Sequence, residues 1–353
     1  MVIDARGPSC EMNRSRDVGG IVLGIESTAH TFSIGWVDGL GEPGKSYSAF
    51  VRPLEGGIHP REAADHHSKN AGSILKKMLA EEKMDTSEIR AIAFSQGPGL
   101  GPCLRIGASV ARSLATKLDV PLVGVNHCVA HIEVGRERCG CDDPVLLYAS
   151  GGNTQVITRL DGRYRVLGET LDIGIGNMLD KFAREQGIPF PGGPEVEKLA
   201  SEWLQNNPGA SLKGLELPYA VQGMDLAFSG ILNAALNLVN NGTPLPAVCW
   251  SLQEHVFAAC VEVTERAMAH AGKSELLLGG GVACNERLRS MCDMMAESRG
   301  ATSHVPIKSL CIDNGSMIAT LGRLQLLWGG PTELSASGVR QDLRTDETEI
   351  LWY

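Results

Sequence analysis

His127 and His131 stand four residues apart in VGVNHCVAHIEVG, directly after an apolar run. On a helix, side chains at that spacing share a face, with Cβ atoms about 5–6 Å apart. Two imidazoles so placed can hold one metal ion. One ring in the core and one in solvent fits the same spacing, so the pair alone decides nothing. A zinc protease of the His-Glu-x-x-His kind needs a glutamate after the first histidine as general base. Here that residue is Cys128, and Glu133 lies two residues past the second histidine, elsewhere on the helix.

Other stretches carry chemistry-bearing residues. Asp313, in SLCIDNGSMIATLGRLQLLWGG, precedes a long helix, where N-capping is the default role. ELLLGGGVACNERLRS reads as strand, turn and helix, and Gly279, Gly280 and Gly281 permit close backbone approach to a flat or charged ligand. Asn285, on the first turn of that helix, suits an adenine edge or the ribose, and equally a surface position after a tight turn. Gly97, Gly99 and Gly101 form a dinucleotide fingerprint only loosely, because Pro98 and Pro102 break it.

The elements that position these residues follow from local pattern. PLVGV is a short apolar strand, and Asn126 is the N-cap of the helix carrying the histidines. IRAIAFS is a strand, and QGPGLGPCLRIG opens a helix that runs to about Leu118. A repeat runs through the chain. IVLGIESTAHTFSIGWVDGLG (21–41) and PVLLYASGGNTQVITRLDGRY (144–164) align at an offset of 123 residues. Val22, Leu23, Ser27, Thr31 and Asp38-Gly39 meet Val145, Leu146, Ser150, Thr154 and Asp161-Gly162. Each copy reads as strand, small polar turn, strand and Asp-Gly turn. Turns rich in Ser, Thr and Gly expose N–H groups and hydroxyls that cradle phosphate oxygens. Facing hairpins of this kind grip the nucleotide in actin-like ATPases, an analogy of fold.

The 353 residues suffice for two sizeable cores. No apolar run approaches the ~20 residues of a membrane span, and residues 1–20 lack the apolar core of a signal peptide. Residues 1–20 read as a disordered extension or an over-long start, with Met12 inside it. Ten scattered cysteines without a C-x-x-C pair point to reduced thiols in a cytoplasm. A net charge of -9 argues against a generic nucleic-acid coat, while leaving room for a local basic patch.

NHCVAH, YASGGNTQ, GNMLDKFARE, FPGGPEVEKLA, AFSGI, LGGGVACN and CIDNGSMIA occur in this order. Over about Ile21 to Trp352 the chain resembles the universal tRNA threonylcarbamoyl transferase family, in its archaeal and eukaryotic form, the catalytic subunit of the KEOPS complex. The bacterial form usually has His where this chain has Asn153, and lacks the tyrosine found here as Tyr148. The resemblance implies an α/β actin-like ATPase (ASKHA) fold with two duplicated RNase H-like lobes, over 21–143 and 144–330, and a nucleotide cleft between them. The helix after Asp313 is expected to pack back on the first lobe, and 331–353 to form a tail. It implies a metal held by His127, His131, Tyr148 and Asp313. Ligand type suits iron or zinc without choosing between them; iron is the family expectation. Nucleotide contacts, to threonylcarbamoyl-AMP or ATP, fall on Tyr148, Ala149, Ser150, Gly151, Gly152, Asp180, Gly193, Glu197 and Asn285.

The implied reaction moves the threonylcarbamoyl group from its adenylate to N6 of the adenosine beside the anticodon, in tRNAs reading codons that begin with A. Rival readings are a metalloprotease, weakened by the missing glutamate, and an actin-like nucleotide-binding module without transfer chemistry. The implied partners are tRNA, a small atypical kinase, a dimer-forming small subunit and possible further KEOPS subunits, and no membrane. The kinase is expected as a separate protein, since the sequence stops at Tyr353. Candidate contacts to the polyanion are Arg61, His66, His67 and Lys69, with Lys181 and Arg184.

Overall fold

The computed structural model describes residues 16–51 and 59–353. The chain divides into two units. The first holds the described residues up to Asp142, with Gly162–Tyr164 and Ile312–Tyr353; the second holds Asp143–Asp161 and Arg165–Cys311. The helix after Asp313 and the tail thus belong to the first unit. Of the extension expected over 1–20, residues 1–15 lie outside the described ones. Residues 16–20 are tied down within the first unit, where the Val18 N–H donates to the Gly39 carbonyl at 3.3 Å.

The first unit is built on β1 (Ile21–Glu26), β2 (Thr31–Val37), β3 (Tyr47–Phe50), β4 (Ile89–Gly97) and β5 (Leu122–Asn126), in the order β3-β2-β1-β4-β5. The first three strands are antiparallel, and β4 and β5 run parallel to β1. Helices α1 (Pro60–Glu81) and α2 (Gly101–Leu118) pack on one face, where Leu23, Ile25, Phe32, Ile34 and Phe94 share a core with Ile74, Met78 and Ala108. Helix α3 (His127–Cys139) starts directly after β5.

The second unit is built on β6 (Val145–Ala149), β7 (Thr154–Leu160) and β8 (Arg163–Glu169, which belongs to this unit from Arg165 on), followed by α4 (Ile175–Glu185) and α5 (Gly193–Asn206). A short pair, β9 (Val221–Gln222) and β10 (Asp225–Leu226), leads to α6 (Ser229–Asn240) and α7 (Leu245–Ala271). Then come β11 (Glu275–Gly279), α8 (Glu286–Ser298), β12 (Thr302–His304) and α9 (Lys308–Cys311). The sheet order is β12-β11-β6-β7-β8. Val145, Leu147, Leu276 and Leu278 from the sheet share a core with Phe182, Val256, Phe257 and Val263 from the helices.

The two sheets read in the same order from hairpin to parallel strands, and the hairpin of each is one copy of the sequence repeat. One detail differs. In the first copy Glu26 pairs with Ser33, and in the second Ala149 pairs with Thr154. At the offset of 123 residues Thr154 corresponds to Thr31, so the first hairpin is opened by two residues. A shift of two keeps every side chain on its original face, where a shift of one would invert them all.

Helix α10 (Gly315–Trp328) returns to the first sheet and packs on β1, β2 and β4. The approach is backbone to backbone. A Cβ on Gly24 would strike the Gly315 carbonyl and the Ala319 backbone, and one on Gly315 would strike the Gly35 amide. The Gly315 N–H also donates to Ser33 Oγ at 3.0 Å. Such contact leaves the start of α10 no freedom to slide. Gly315→Ala is expected to cost about 1–3 kcal/mol through overpacking. Gly72→Ala, in exposed α1 with nothing within 4 Å, should gain about 0.5–1 kcal/mol. Urea titration of both variants checks the opposite signs.

Candidate metal centre

Asn126 ends β5 and caps α3. Its Oδ1 accepts the Cys128 N–H at 2.9 Å and the Val129 N–H at 3.2 Å. The cap fixes where the helix starts, and so puts His127 and His131 on consecutive turns with ring centroids 4.9 Å apart. The cap of α10 is Asn314, which accepts the Met317 N–H at 2.9 Å. Asp313, expected as the cap by default, keeps its carboxylate for another use. Its Oδ1 lies 3.3 Å from His131 Nε2 and 3.5 Å from His127 Nε2. All three ligand atoms fall within 4.8 Å of one another, in a largely buried cluster of the first unit.

Glu26 completes the arrangement, and no motif had singled it out. Its Oε2 lies 2.9 Å from His127 Nδ1. Its Oε1 accepts the Thr28 N–H at 2.6 Å and the Thr28 hydroxyl at 2.5 Å. A carboxylate only accepts here, so His127 carries its proton on Nδ1 and turns Nε2 toward Asp313. A carboxylate behind a histidine is the usual device for orienting a metal ligand. Two nitrogens and a carboxylate oxygen aimed at one point fit a borderline divalent metal.

The charges agree. Burial works against a charged His127 ring, but Glu26 and Asp313 override it and raise its pKa to about 9. Burial, only partly opposed by the Asp313 hydrogen bond, lowers that of His131. Burial pushes the Asp313 carboxyl up, yet the facing imidazoles, His127 foremost, hold it below the usual carboxylate range. Without metal at neutral pH, His127 is therefore protonated, His131 neutral and Asp313 ionised.

Glu133 is fully buried in an ion pair with Arg136 at 2.6 Å, and the Tyr164 hydroxyl also bonds to it. It offers no base for peptide hydrolysis. Among the basic candidates, Arg61 and Lys69 are exposed on α1, and Lys181 and Arg184 on α4. His67 is not a surface contact. It is fully buried against the Ala29 carbonyl at 3.0 Å, and burial lowers its pKa to about 4.

The other expected site residues lie in the second unit. Tyr148, on β6, is buried and sits opposite Gly279 of β11 and Gln155 of β7; Ala149 ends the strand. In the turn that follows, Ser150 Oγ donates to the Asn153 carbonyl at 3.0 Å, so this hydroxyl closes the turn. A Cβ on Gly151 would meet only Asn177 Oδ1 at 3.4 Å, and one on Gly152 would meet nothing within 4 Å. The protein's own packing leaves both positions open. Gly280 differs: its φ is 86°, and a Cβ there would strike the Ala149 carbonyl. Asp180 accepts the Gly192 N–H at 2.7 Å, next to Gly193 at the start of α5. Glu197, its pKa raised by burial, accepts the Glu286 N–H at 2.7 Å. Asn285 is the N-cap of α8. Its Oδ1 accepts from Arg287 and Leu288, and its Nδ2 donates to Gln253 at 2.7 Å.

Residues 45–320 match the family described as TsaD: tRNA N6-adenosine threonylcarbamoyltransferase. The chain belongs to this family. It is 51% identical over 332 residues to the tRNA N6-adenosine threonylcarbamoyltransferase of Archaeoglobus fulgidus, covering 94% of this chain and 99% of that one. It is 52% identical over 333 residues to a probable bifunctional tRNA threonylcarbamoyladenosine biosynthesis protein of Methanoculleus marisnigri, of which it spans 60%. In structure it is similar to T. kodakarensis HypF, with a TM-score of 0.61 at 16% identity, over 91% of this chain and 49% of that one. It is also similar to the activator of 2-hydroxyisocaproyl-CoA dehydratase from Clostridium difficile, with a TM-score of 0.52 at 8% identity, over 86% and 94%. These likenesses give the fold, an α/β fold of the actin-like ATPase type. No helix among the described residues is long and apolar enough to cross a membrane.

Metal and proton compete for His127. Metal affinity should therefore rise about tenfold per pH unit from 6.5 to 8.5 and level off above the His127 pKa of about 9, with proton release visible by calorimetry in different buffers. Glu26→Gln should weaken binding about 10–100-fold and move the plateau to lower pH. His127→Ala/His131→Ala together should abolish metal content in a folded protein.

Proposed function

We propose that this protein transfers the threonylcarbamoyl group from threonylcarbamoyl-AMP to N6 of the adenosine 3′ to the anticodon in tRNAs reading ANN codons. The observation that carries the reading is the match to the Archaeoglobus enzyme along 99% of its length. The cluster of His127, His131 and Asp313 supports a metal-dependent form of it. The amine nitrogen attacks the carbamoyl carbonyl, the bond to the phosphate oxygen breaks, AMP leaves, and the nitrogen loses a proton. An exocyclic adenine amine is a poor nucleophile, because its lone pair is delocalised into the ring. Catalysis then rests on positioning and on stabilising charge at the carbonyl and phosphate.

The metal, which we take to be iron, would be held by His127, His131 and Asp313, with Tyr148 as a fourth ligand. When bound it supplies a Lewis acid and a template. Glu26 and Thr28 keep His127 in its tautomer and hold the ring still. The open faces of Gly151 and Gly152 suit the phosphate of the adenylate, with Asp180, Gly193, Glu197 and Asn285 around the nucleoside. Partners on this reading are tRNA and the KEOPS subunits, in the cytoplasm.

A single-turnover assay with the adenylate and a tRNA reading ANN codons tests the reaction directly. Product formation supports it; nucleotide binding without transfer leaves only a binding module. Gly151→Val should fold normally, because its Cβ has room, yet lose most nucleotide affinity, measured separately by calorimetry. Unchanged affinity would remove the turn from the site.

A further inference from the structure

Helix α3 carries the two histidines on one side and is gripped on the other. Each residue turns a helix by about 100°, so Glu133 and Arg136 point away from the side of His127 and His131. Both are fully buried. The Arg136 guanidinium is pinned in its own plane. Its Nη1 donates to Glu133 Oε2 at 2.6 Å and its Nε to the Asp142 carbonyl at 2.8 Å, with Nη2 at 3.7 Å from Asp142 Oδ1. The Tyr353 ring covers the guanidinium, its centroid 3.8 Å from Cζ. Tyr164 gives its hydroxyl proton to the Glu133 carboxylate, which only accepts. The Tyr353 hydroxyl therefore donates to the Tyr164 oxygen, at 3.2 Å. The contacts close a loop from Glu133 to Arg136, Tyr353, Tyr164 and back to Glu133.

The same segment reaches the other end of α3. Asn126, which caps the helix, donates from Nδ2 to the Arg344 carbonyl at 3.0 Å. Between these two points Glu349 bridges to Arg163 at the start of β8, and Trp352 is buried. Residues 344–353 thus hold both ends of the helix that carries two of the three clustered ligands. We propose that Tyr353 is a positioning residue for the metal centre. By laying its ring on Arg136 it sets where α3 holds His127 and His131 relative to Asp313. The inference rests on the metal reading given above.

A metal site tolerates only about ±0.2 Å in its ligand distances. The Asn126 cap fixes where α3 starts, and the clamp on Arg136 fixes how the helix is turned and tilted from that point. A tilt about the cap displaces His131 more than His127. The guanidinium cannot follow such a motion without leaving an acceptor, because its fork is planar and rigid. The cation–π contact adds direction, since the attraction lies over the face of the ring. Tyr353 acts through Arg136 and the helix between them.

Cobalt(II) is the probe, because its visible absorption follows the geometry of its ligands. The full chain is titrated with cobalt(II) chloride as wild type, Tyr353→Phe, Tyr353→Leu and Tyr353→Ala. Affinity, absorption band and the urea midpoint of the metal-free protein are measured for each. Tyr353→Phe keeps the ring face and loses only the hydroxyl, so it should bind cobalt as the wild type does, with the same band. Tyr353→Leu fills the place without a π face, and Tyr353→Ala empties it. Each should weaken binding about tenfold, as loss of a residue supporting a metal ligand does, with a shifted band. A merely structural tyrosine would lower the urea midpoint and leave the affinity and band of the folded protein unchanged. That result, or a Phe variant as weak as the Ala variant, overturns the proposal. A wild type that takes up no cobalt overturns the metal reading itself, and the proposal with it. The Leu variant decides if the Ala variant fails to fold.

Discussion

The hydrogen bond between Glu26 and His127 is the contact on which the candidate metal centre depends. It joins the end of β1 to the start of α3, two points 101 residues apart in sequence. A buried carboxylate without a partner is costly, and so is a buried imidazolium. Each relieves the other, and Thr28 satisfies the oxygen that His127 leaves. The result is a ring held from behind, with Nε2 presented forward.

Asp313 reaches the same point by a different route. It sits just before α10, whose first turn meets the sheet with no side chains between. Close packing of this kind transmits position without slack. The Asn314 cap matters as much, because it frees the neighbouring carboxylate from the helix end. The ligand set therefore rests on two helix starts and one strand end, all pinned by backbone contacts. Such a site needs little reorganisation on binding a metal, which favours affinity.

Much of this was legible in the sequence. The Asn126 cap and the histidine spacing are local, and local pattern reports them well. The duplication was visible because strand and turn landmarks, from Val22 to Asp38-Gly39, recur at one offset. What escaped has a common cause. Glu26 ends an apolar strand in GIES, which marks it as unusual, but its partner lies far away in the chain. Asp313 and Asn314 are both good caps, and composition cannot choose between neighbours. His67 looked like part of a basic cluster, and only the fold decides which of two adjacent histidines turns inward. Asn285 was placed on the helix, whereas it caps it, so most of its bonding capacity serves the protein itself.

The two-residue difference between the hairpins has a consequence for how the copies diverged. The longer connection carries Thr28, and with it the clamp on Glu26. The shorter one closes through Ser150 and leaves two bare glycines facing outward. A register slip of even length passes through a pleated sheet unnoticed by the core, since inward residues stay inward. Parity thus gave one ancestral hairpin a silent degree of freedom. One copy uses it to grip a carboxylate, and the other pairs up to the turn and leaves two glycines bare.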